Sequence, residues 1–100
     1  NLENLKNCLT HPSIFSSKKK SKDKYICEFE RLEFLGDRVL GLVISKKLID
    51  LYPDEEEGNL DKRFAKLVNR ETCSKTAWSI GIQKYLIIGD SHKKIWRYLR

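Results

Sequence analysis

Residues 28–41 read Glu-Phe-Glu-Arg-Leu-Glu-Phe-Leu-Gly-Asp-Arg-Val-Leu-Gly, and this stretch decides the fold. Glu30, Glu33 and Asp37 stand at positions i, i+3 and i+7, so on a helix they lie on one narrow face. The side roughly opposite is apolar, as expected for the core-facing stripe of a buried helix. The residues of this predicted core stripe are Leu32, Leu35, Val39, Leu42 and Val43.

The three acids have no cation beside them on the helix. No lysine or arginine lies three or four positions away from any of them, and Arg31 and Arg38 project about 80–130° away around the helix. The acids therefore need a positive charge from outside the helix. The commoner source is a lysine or arginine of another element. A hard divalent cation, which takes oxygen ligands, is the alternative.

Length and composition indicate one small globular domain. The chain has 100 residues, of which 40% are hydrophobic and 34% are charged, and a net charge of +6 favours a polyanionic partner. No apolar run approaches the ~18 residues of a membrane span, so no membrane partner is expected. The three cysteines, Cys8, Cys27 and Cys73, are odd in number and widely spaced. They predict reduced thiols in a cytoplasmic protein rather than a zinc site or disulfides.

The chain is predicted to be all-α, a helical bundle around one long central helix. That helix is apolar on most faces, so we expect it to be buried, with Gly36 and Gly41 allowing close packing of a neighbouring helix. The stretch 82–88 is ambiguous between helix and strand. The predicted elements are a helix over 2–9, a polar loop over 14–24, the central helix over 25–51, a helix over 59–69 capped by Asn59, and a helix over 70–80 stopped by Gly81.

The stretch Glu30-Arg31-Leu32-Glu33-Phe34-Leu35-Gly36-Asp37 resembles the signature helix of the ribonuclease III family. Thr10-His11-Pro12-Ser13 is similar to a second landmark of that family, upstream of the helix. Tyr52-Pro53-Asp54, Glu57-Gly58-Asn59-Leu60 and Ala65-Lys66-Leu67-Val68 are similar to the turn and helix that follow it. The resemblance covers residues 5 to about 90, and it identifies the chain as the N-terminal part of a catalytic domain of this family.

The resemblance implies a magnesium-dependent endoribonuclease that cleaves double-stranded RNA, including precursors of ribosomal RNA. Manganese would be able to substitute for magnesium. By this resemblance Glu33 and Asp37 are the metal ligands, and Asp37 and Glu30 are the catalytic acids. The family's members form homodimers. The dimer-interface residues implied here are Phe29, Phe34 and Leu35, and the candidate RNA-binding residues are Lys62, Arg63, Lys66 and Arg70.

The sequence also departs from the family's pattern. Members carry a second Asp and Glu on a later helix, and no such element is evident before Arg100. We therefore expect residues 1–100 to be an apparently truncated catalytic domain without a double-stranded-RNA-binding domain. Arg38 stands where a small residue is usual, and Phe64 stands where an arginine is usual. A second hypothesis is thus a non-catalytic RNA-binding or ribosome-associated protein with this fold, and a third is a plain helical interaction domain.

Three further features have simpler interpretations. The lysines of residues 18–24 have no aromatic residues among them, so a solvated loop is favoured over a surface that stacks bases. His11 is followed by Pro12 and is predicted to be a capping or packing residue rather than an acid or base. Trp78 and Trp96 are predicted to be core or interface residues.

Overall fold

The architecture is all-α, as predicted. A computed structural model describes residues 1–15, 19–90 and 93. The α-helices with defined bounds in the described residues are α1 (Leu2–Leu9), α2 (Lys19–Leu51), α3 (Glu57–Val68) and α4 (Arg70–Ser79). Two 3₁₀ turns, Pro12–Phe15 and Ile82–Lys84, follow α1 and α4. The described residues contain no strand, only an isolated parallel bridge between Thr10 and Ile87.

Helix α2 organises the molecule. Its 33 residues span about 50 Å at 1.5 Å per residue, close to the 53 Å long axis of the described structure. The first 3₁₀ turn and α1 pack against α2, α3 packs along it, and α4 packs against α3 and the second 3₁₀ turn. None of the helices in the described part of the chain combines the length and hydropathy of a membrane span.

The start of α2 differs from its prediction. The helix begins at Lys19, so residues 19–24 are helical where a loop was predicted. Lysine has a good helix propensity, and a run of lysines extends a helix without needing an apolar face. Residues 14 and 15 belong to the first 3₁₀ turn, and residues 16–18 lie outside the described part.

The boundaries of the other helices follow their caps. Helix α1 matches the predicted 2–9, with the Asn1 side chain accepting from the Glu3 amide. Helix α3 begins two residues earlier than predicted and Glu56 is its N-cap, so the assignment of Asn59 as the cap was wrong. Asn69 caps α4 by accepting from the Thr72 amide at 2.9 Å.

The predicted stop at Gly81 is confirmed. Ile80 is the C-cap of α4, and Gly81 has a φ of +79°, the left-handed conformation that glycine adopts without steric cost. The stretch 82–88 is neither helix nor strand throughout. It forms a 3₁₀ turn and then reaches the bridge at Ile87.

The predicted core stripe of α2 was wrong for the described part of the chain. Leu35, Val39, Leu42 and Val43 are exposed, Leu42 by as much as 72%, and Leu32 is half-buried. The buried residue of the described chain is Leu48, 5% exposed, which continues the face that carries the acids. The other elements pack on that face, so the stripe has no covering element among the described residues. Cys8, Cys27 and Cys73 are free in this structure.

Candidate active site

The acidic face of α2 is exposed at its three acids and packs against other elements further along the helix. Glu30, Glu33 and Asp37 are exposed, and one turn further along the same face the helix contacts its neighbours. A Cβ at Gly41 would lie 3.5 Å from the Phe64 ring of α3, which leaves room for ordinary contact and little more. Gly41 thus faces α3, but a Cβ would fit there in ordinary contact, so a need for glycine in close packing stays a prediction. Gly36 has no atom of the described residues near its Cβ position.

The acids have no cationic partner among the described residues. Four ion pairs are found there, and none includes Glu30, Glu33 or Asp37. Each of the four joins acids and bases elsewhere on the surface, for example Lys46 with Asp50 one turn apart on α2. The commoner interpretation of the triad, neutralisation by a lysine or arginine of another element, therefore has no support within residues 1–15, 19–90 and 93.

Arg38 does not neutralise Asp37. Its guanidinium carbon lies 3.7 Å from the centroid of the Phe34 ring, and its Nη1 donates to the Phe34 carbonyl at 3.4 Å. This stacking is a cation–π contact between neighbours one turn apart on the helix. Arg38, the neighbour of Asp37 in sequence, thus stacks on an aromatic side chain of its own helix.

The acidic face offers the type of ligand that magnesium prefers, but few residues supply it. Carboxylate oxygens are the ligands that Mg²⁺ prefers, and the ion is usually held by one or two carboxylates together with waters and substrate phosphates. Glu33 and Asp37, one turn apart and unpaired, meet that description. In the described part of the chain no group of three acid, histidine or cysteine side chains is close enough to enclose a metal ion.

Three of the four candidate RNA-binding residues are exposed. Lys62 and Lys66 lie one turn apart on α3, and Arg70 is the first residue of α4. Among the ion pairs of the described chain none involves these three side chains. They are available to an anionic ligand, and their contact with RNA stays a prediction.

Arg63 has a structural role that sequence analysis missed. It forms a two-pronged ion pair with Glu55, with Nε and Nη2 donating at 2.6 and 2.7 Å, and it stacks 3.8 Å above the Tyr52 ring. The hydrogen bonds from Arg63 hold the pKa of Glu55 below its ordinary value, and the same bonds raise the pKa of Arg63. This pair fixes the turn between α2 and α3. The sequence feature that could have indicated this ion pair is an acid in the turn, Glu55, eight residues before an arginine on the next helix.

Two of the three candidate interface residues present apolar surface. Phe34 is 60% exposed and Leu35 is 56% exposed, and Phe34 lies beside an open cleft of about 610 Å³. Phe29 is half-buried and meets the His11 ring edge to face, with 6.0 Å between ring centroids. His11 is therefore a packing residue, as predicted. The residues that line the cleft are Cys27, Glu30, Arg31, Leu32, Phe34 and Leu35.

Comparison with known proteins places this geometry in a family. The model of the ribonuclease III domain matches residues 30–98. Ribonuclease 3 of Pelagibacter ubique is 58% identical over 67 residues, which cover 66% of this chain and 30% of the relative. Ribonuclease 3 of Methylocella silvestris is 42% identical over 86 residues, covering 86% of this chain and 34% of the relative. Ribonuclease 3 of Bradyrhizobium diazoefficiens is 44% identical over 82 residues, covering 82% and 31%.

The chain spans about a third of the length of these curated relatives. Comparison with solved structures gave no significant match. The family match begins at Glu30, the first acid of the exposed triad, and it covers more than half of the chain. The chain belongs to the ribonuclease III family.

Proposed function

We propose that this chain is part of the catalytic domain of an endoribonuclease that hydrolyses double-stranded RNA with the help of magnesium. The observation that carries the proposal is the acidic face of α2. Three carboxylates lie exposed within two turns and have no cation among the described residues, in a chain whose relatives are ribonucleases. Unneutralised carboxylates at close spacing cost stability, so a function for them is the economical explanation.

Glu33 and Asp37 are the proposed metal ligands. When bound, Mg²⁺ or Mn²⁺ supplies an activated water and stabilises the charge that develops on the leaving oxygen of the phosphodiester. Glu30, one turn before Glu33, is placed to accept hydrogen bonds from waters around the ion or from a ribose hydroxyl. Asp37 is a catalytic residue in this proposal because, one turn after Glu33, it would help to hold the same ion.

Double-stranded RNA is the proposed substrate, with ribosomal RNA precursors among the duplexes processed in the cytoplasm. Lys62, Lys66 and Arg70 support this part because they are exposed cations on α3 and α4. Contacts to phosphates supply most of the affinity of such surfaces, and an RNA duplex is recognised mainly by shape, phosphates and 2′-hydroxyls. We expect binding to weaken steeply with salt and to depend little on sequence.

A homodimer is the proposed assembly. Phe34 and Leu35 are more than half exposed at the start of the apolar surface of α2, and a second copy of the chain is the proposed cover for them. Phe29 contributes less in this arrangement, because His11 already covers part of its ring. Burial of two such side chains per copy contributes about 2–4 kcal/mol before the costs of association are subtracted.

The test is cleavage of a long RNA duplex by the full-length polypeptide that contains these residues, with and without Mg²⁺. The matched variants are Glu33→Gln and Asp37→Asn, and the control is Glu71→Gln, an exposed acid paired with Lys75 on α4. We expect magnesium-dependent cutting that falls at least 100-fold in the first two variants and is unchanged in the control. Residues 1–100 alone should cut poorly, since two or three carboxylates hold magnesium weakly.

One observation favours a second function, a non-catalytic RNA-binding protein. The described residues bring no three metal-binding side chains together, which is a thin donor set for a nuclease. In that case the full-length protein would bind an RNA duplex with strong salt dependence and leave it intact at every magnesium concentration. That outcome would replace the nuclease proposal.

A further inference from the structure

The segment after α1 is joined to the segment after the second 3₁₀ turn. The His11 amide donates to the Ile87 carbonyl at 2.8 Å, and the Ile87 amide donates to the Leu9 carbonyl at 2.8 Å. These two bonds make the parallel bridge between Thr10 and Ile87. They tie together parts of the chain that are distant in sequence.

Ser13 extends this junction with its side chain. The Gly89 amide donates to Ser13 Oγ at 3.0 Å, across 76 positions of sequence, and Ser13 Oγ lies 2.8 Å from His11 Nδ1. The Ser13 amide donates to the same Nδ1 at 3.1 Å, so that nitrogen carries no proton. The Ser13 hydroxyl therefore donates to His11 and accepts from Gly89. We call His11, Ser13 and Gly89 the latch.

Gly89 fits the latch because it lacks a side chain. A Cβ at this position would lie 2.6 Å from the Ser13 carbonyl oxygen and 2.9 Å from its carbonyl carbon, closer than real Cβ contacts allow. The two backbones thus approach as closely as glycine permits. Any larger residue at position 89 has to push the two segments apart.

The latch reaches the acidic helix through an aromatic contact. The His11 ring meets the Phe29 ring edge to face at 6.0 Å, and Phe29 directly precedes Glu30. On its other side, Gly89 leads into the helical residue Asp90, and the Lys93 amide donates to the Gly89 carbonyl at 3.2 Å. The latch therefore contacts α2 at the residue that precedes its first acid.

We propose that Ser13 is a positioning residue for the reaction, because its hydroxyl fixes Gly89 relative to the part of α2 that carries Phe29 and Glu30. This inference rests on the proposed function for its effect on cleavage, and it rests on the hydrogen bonds alone for its effect on structure. Reaction rates are sensitive to small displacements of the elements around a site, since a shift of about 1 Å can cost 100-fold. The exposed cations of α3 lie outside the latch, so RNA binding should be spared.

Amide hydrogen exchange in this chain tests the structural part of the proposal, namely that the Ser13 hydroxyl holds Gly89. Ser13→Ala removes the acceptor of the Gly89 amide, and we expect that amide to exchange roughly tenfold faster than in the wild type, the loss of one net hydrogen bond. The control is Ser79→Ala, since the Ser79 Oγ donates to the Thr76 carbonyl within its own helix. Equal exchange at Gly89 in the wild type and in Ser13→Ala would overturn the latch, whatever the protein's activity.

The functional half is tested by steady-state kinetics of the full-length polypeptide on an RNA duplex. Ser13→Ala and Gly89→Ala should each lower kcat roughly tenfold or more and change KM less than threefold. The double variant should lose little more than either single one, because both break the same contact. Additive losses, or a fall in affinity with kcat kept, would show a merely structural role. Absence of cleavage by the wild type would count against the proposed function and leave the exchange result standing.

Discussion

At the scale of single residues, the chemistry of the site was visible in the sequence and its surroundings were not. The spacing of Glu30, Glu33 and Asp37 predicted one acidic face with no cation beside it on the helix, and no ion pair of the described residues includes these acids. The engagement of Arg38 by Phe34 could not be predicted, because an arginine beside an acid is equally able to pair with it. The Gly89 amide that Ser13 binds lies 76 positions away, so no local sequence pattern could predict this contact.

Asp37→Asn should stabilise the metal-free chain slightly. It removes the repulsion between like charges one turn apart, which costs a few tenths of a kcal/mol on an exposed helix and corresponds to a rise in Tm of about 1–3 °C. The control is Asp50→Asn on the same helix, which breaks the ion pair with Lys46 and should lower Tm or leave it unchanged. Thermal unfolding followed by circular dichroism measures both. Clear destabilisation by Asp37→Asn would make that carboxylate a structural partner.

At the scale of elements, sequence patterns predicted which helices exist better than where each one packs. Caps and stops such as Asn1, Asn69 and Gly81 have local chemistry, so the ends of α1 and α4 were predictable. The face of α2 that is buried was not predictable. Apolar residues lie on most sides of this helix, so the buried side depends on where the other elements pack. The predicted start of α2 was wrong for a related reason, since lysines are compatible with both loop and helix.

The two glycines of α2 should respond in different ways to enlargement. Gly36→Ala meets open space among the described residues, so it should stabilise the isolated chain by about 1 kcal/mol through helix propensity alone. Gly41→Ala just reaches the Phe64 ring and should be close to neutral, whereas Gly41→Leu should destabilise by about 1–3 kcal/mol. Urea unfolding measures all three. A stable Gly41→Leu variant would mean that α3 does not pack at this point.

The Glu55–Arg63 pair should make stability depend on pH in the acid range. Because Arg63 lowers the pKa of folded Glu55, the pair stabilises the fold at neutral pH and above the unfolded pKa of about 4.3. That contribution is lost as pH falls through the lower, folded pKa. Glu55→Gln should therefore unfold at a lower temperature than the wild type at pH 7, with the gap closing toward pH 3. A gap that stays constant with pH would rule out this linkage.

At the scale of the whole molecule, the described structure has more apolar surface than it covers. Apart from Leu48, its large apolar side chains are at least partly exposed, and one flank of α2 has no neighbour within the described residues. An open apolar groove of about 390 Å³ lies between α2 and α4. Exposed apolar surface on this scale is typical of a protein that associates or is covered by further chain.

Self-association should depend on Phe34 and Leu35 if they form the proposed dimer interface. Replacement of both by serine should weaken the dimer at least tenfold in sedimentation equilibrium, because it removes about 1–2 kcal/mol of burial per side chain. The matched control is Leu2→Ser, an apolar residue of α1 that is more exposed than either. Equal weakening by the control would indicate unspecific association through apolar surface.

The central claim is that the acidic face of α2 binds a divalent metal ion, and Mn²⁺ titration followed by NMR tests it most directly. Paramagnetic Mn²⁺ should broaden the amide signals of residues 30–37 first and saturably, and excess Mg²⁺ should restore them. The Glu33→Gln, Asp37→Asn double variant should lose this broadening, while Glu71→Gln keeps it. Broadening of residues 30–37 that persists unchanged in the double variant would contradict the account, since the metal would then be held by other groups.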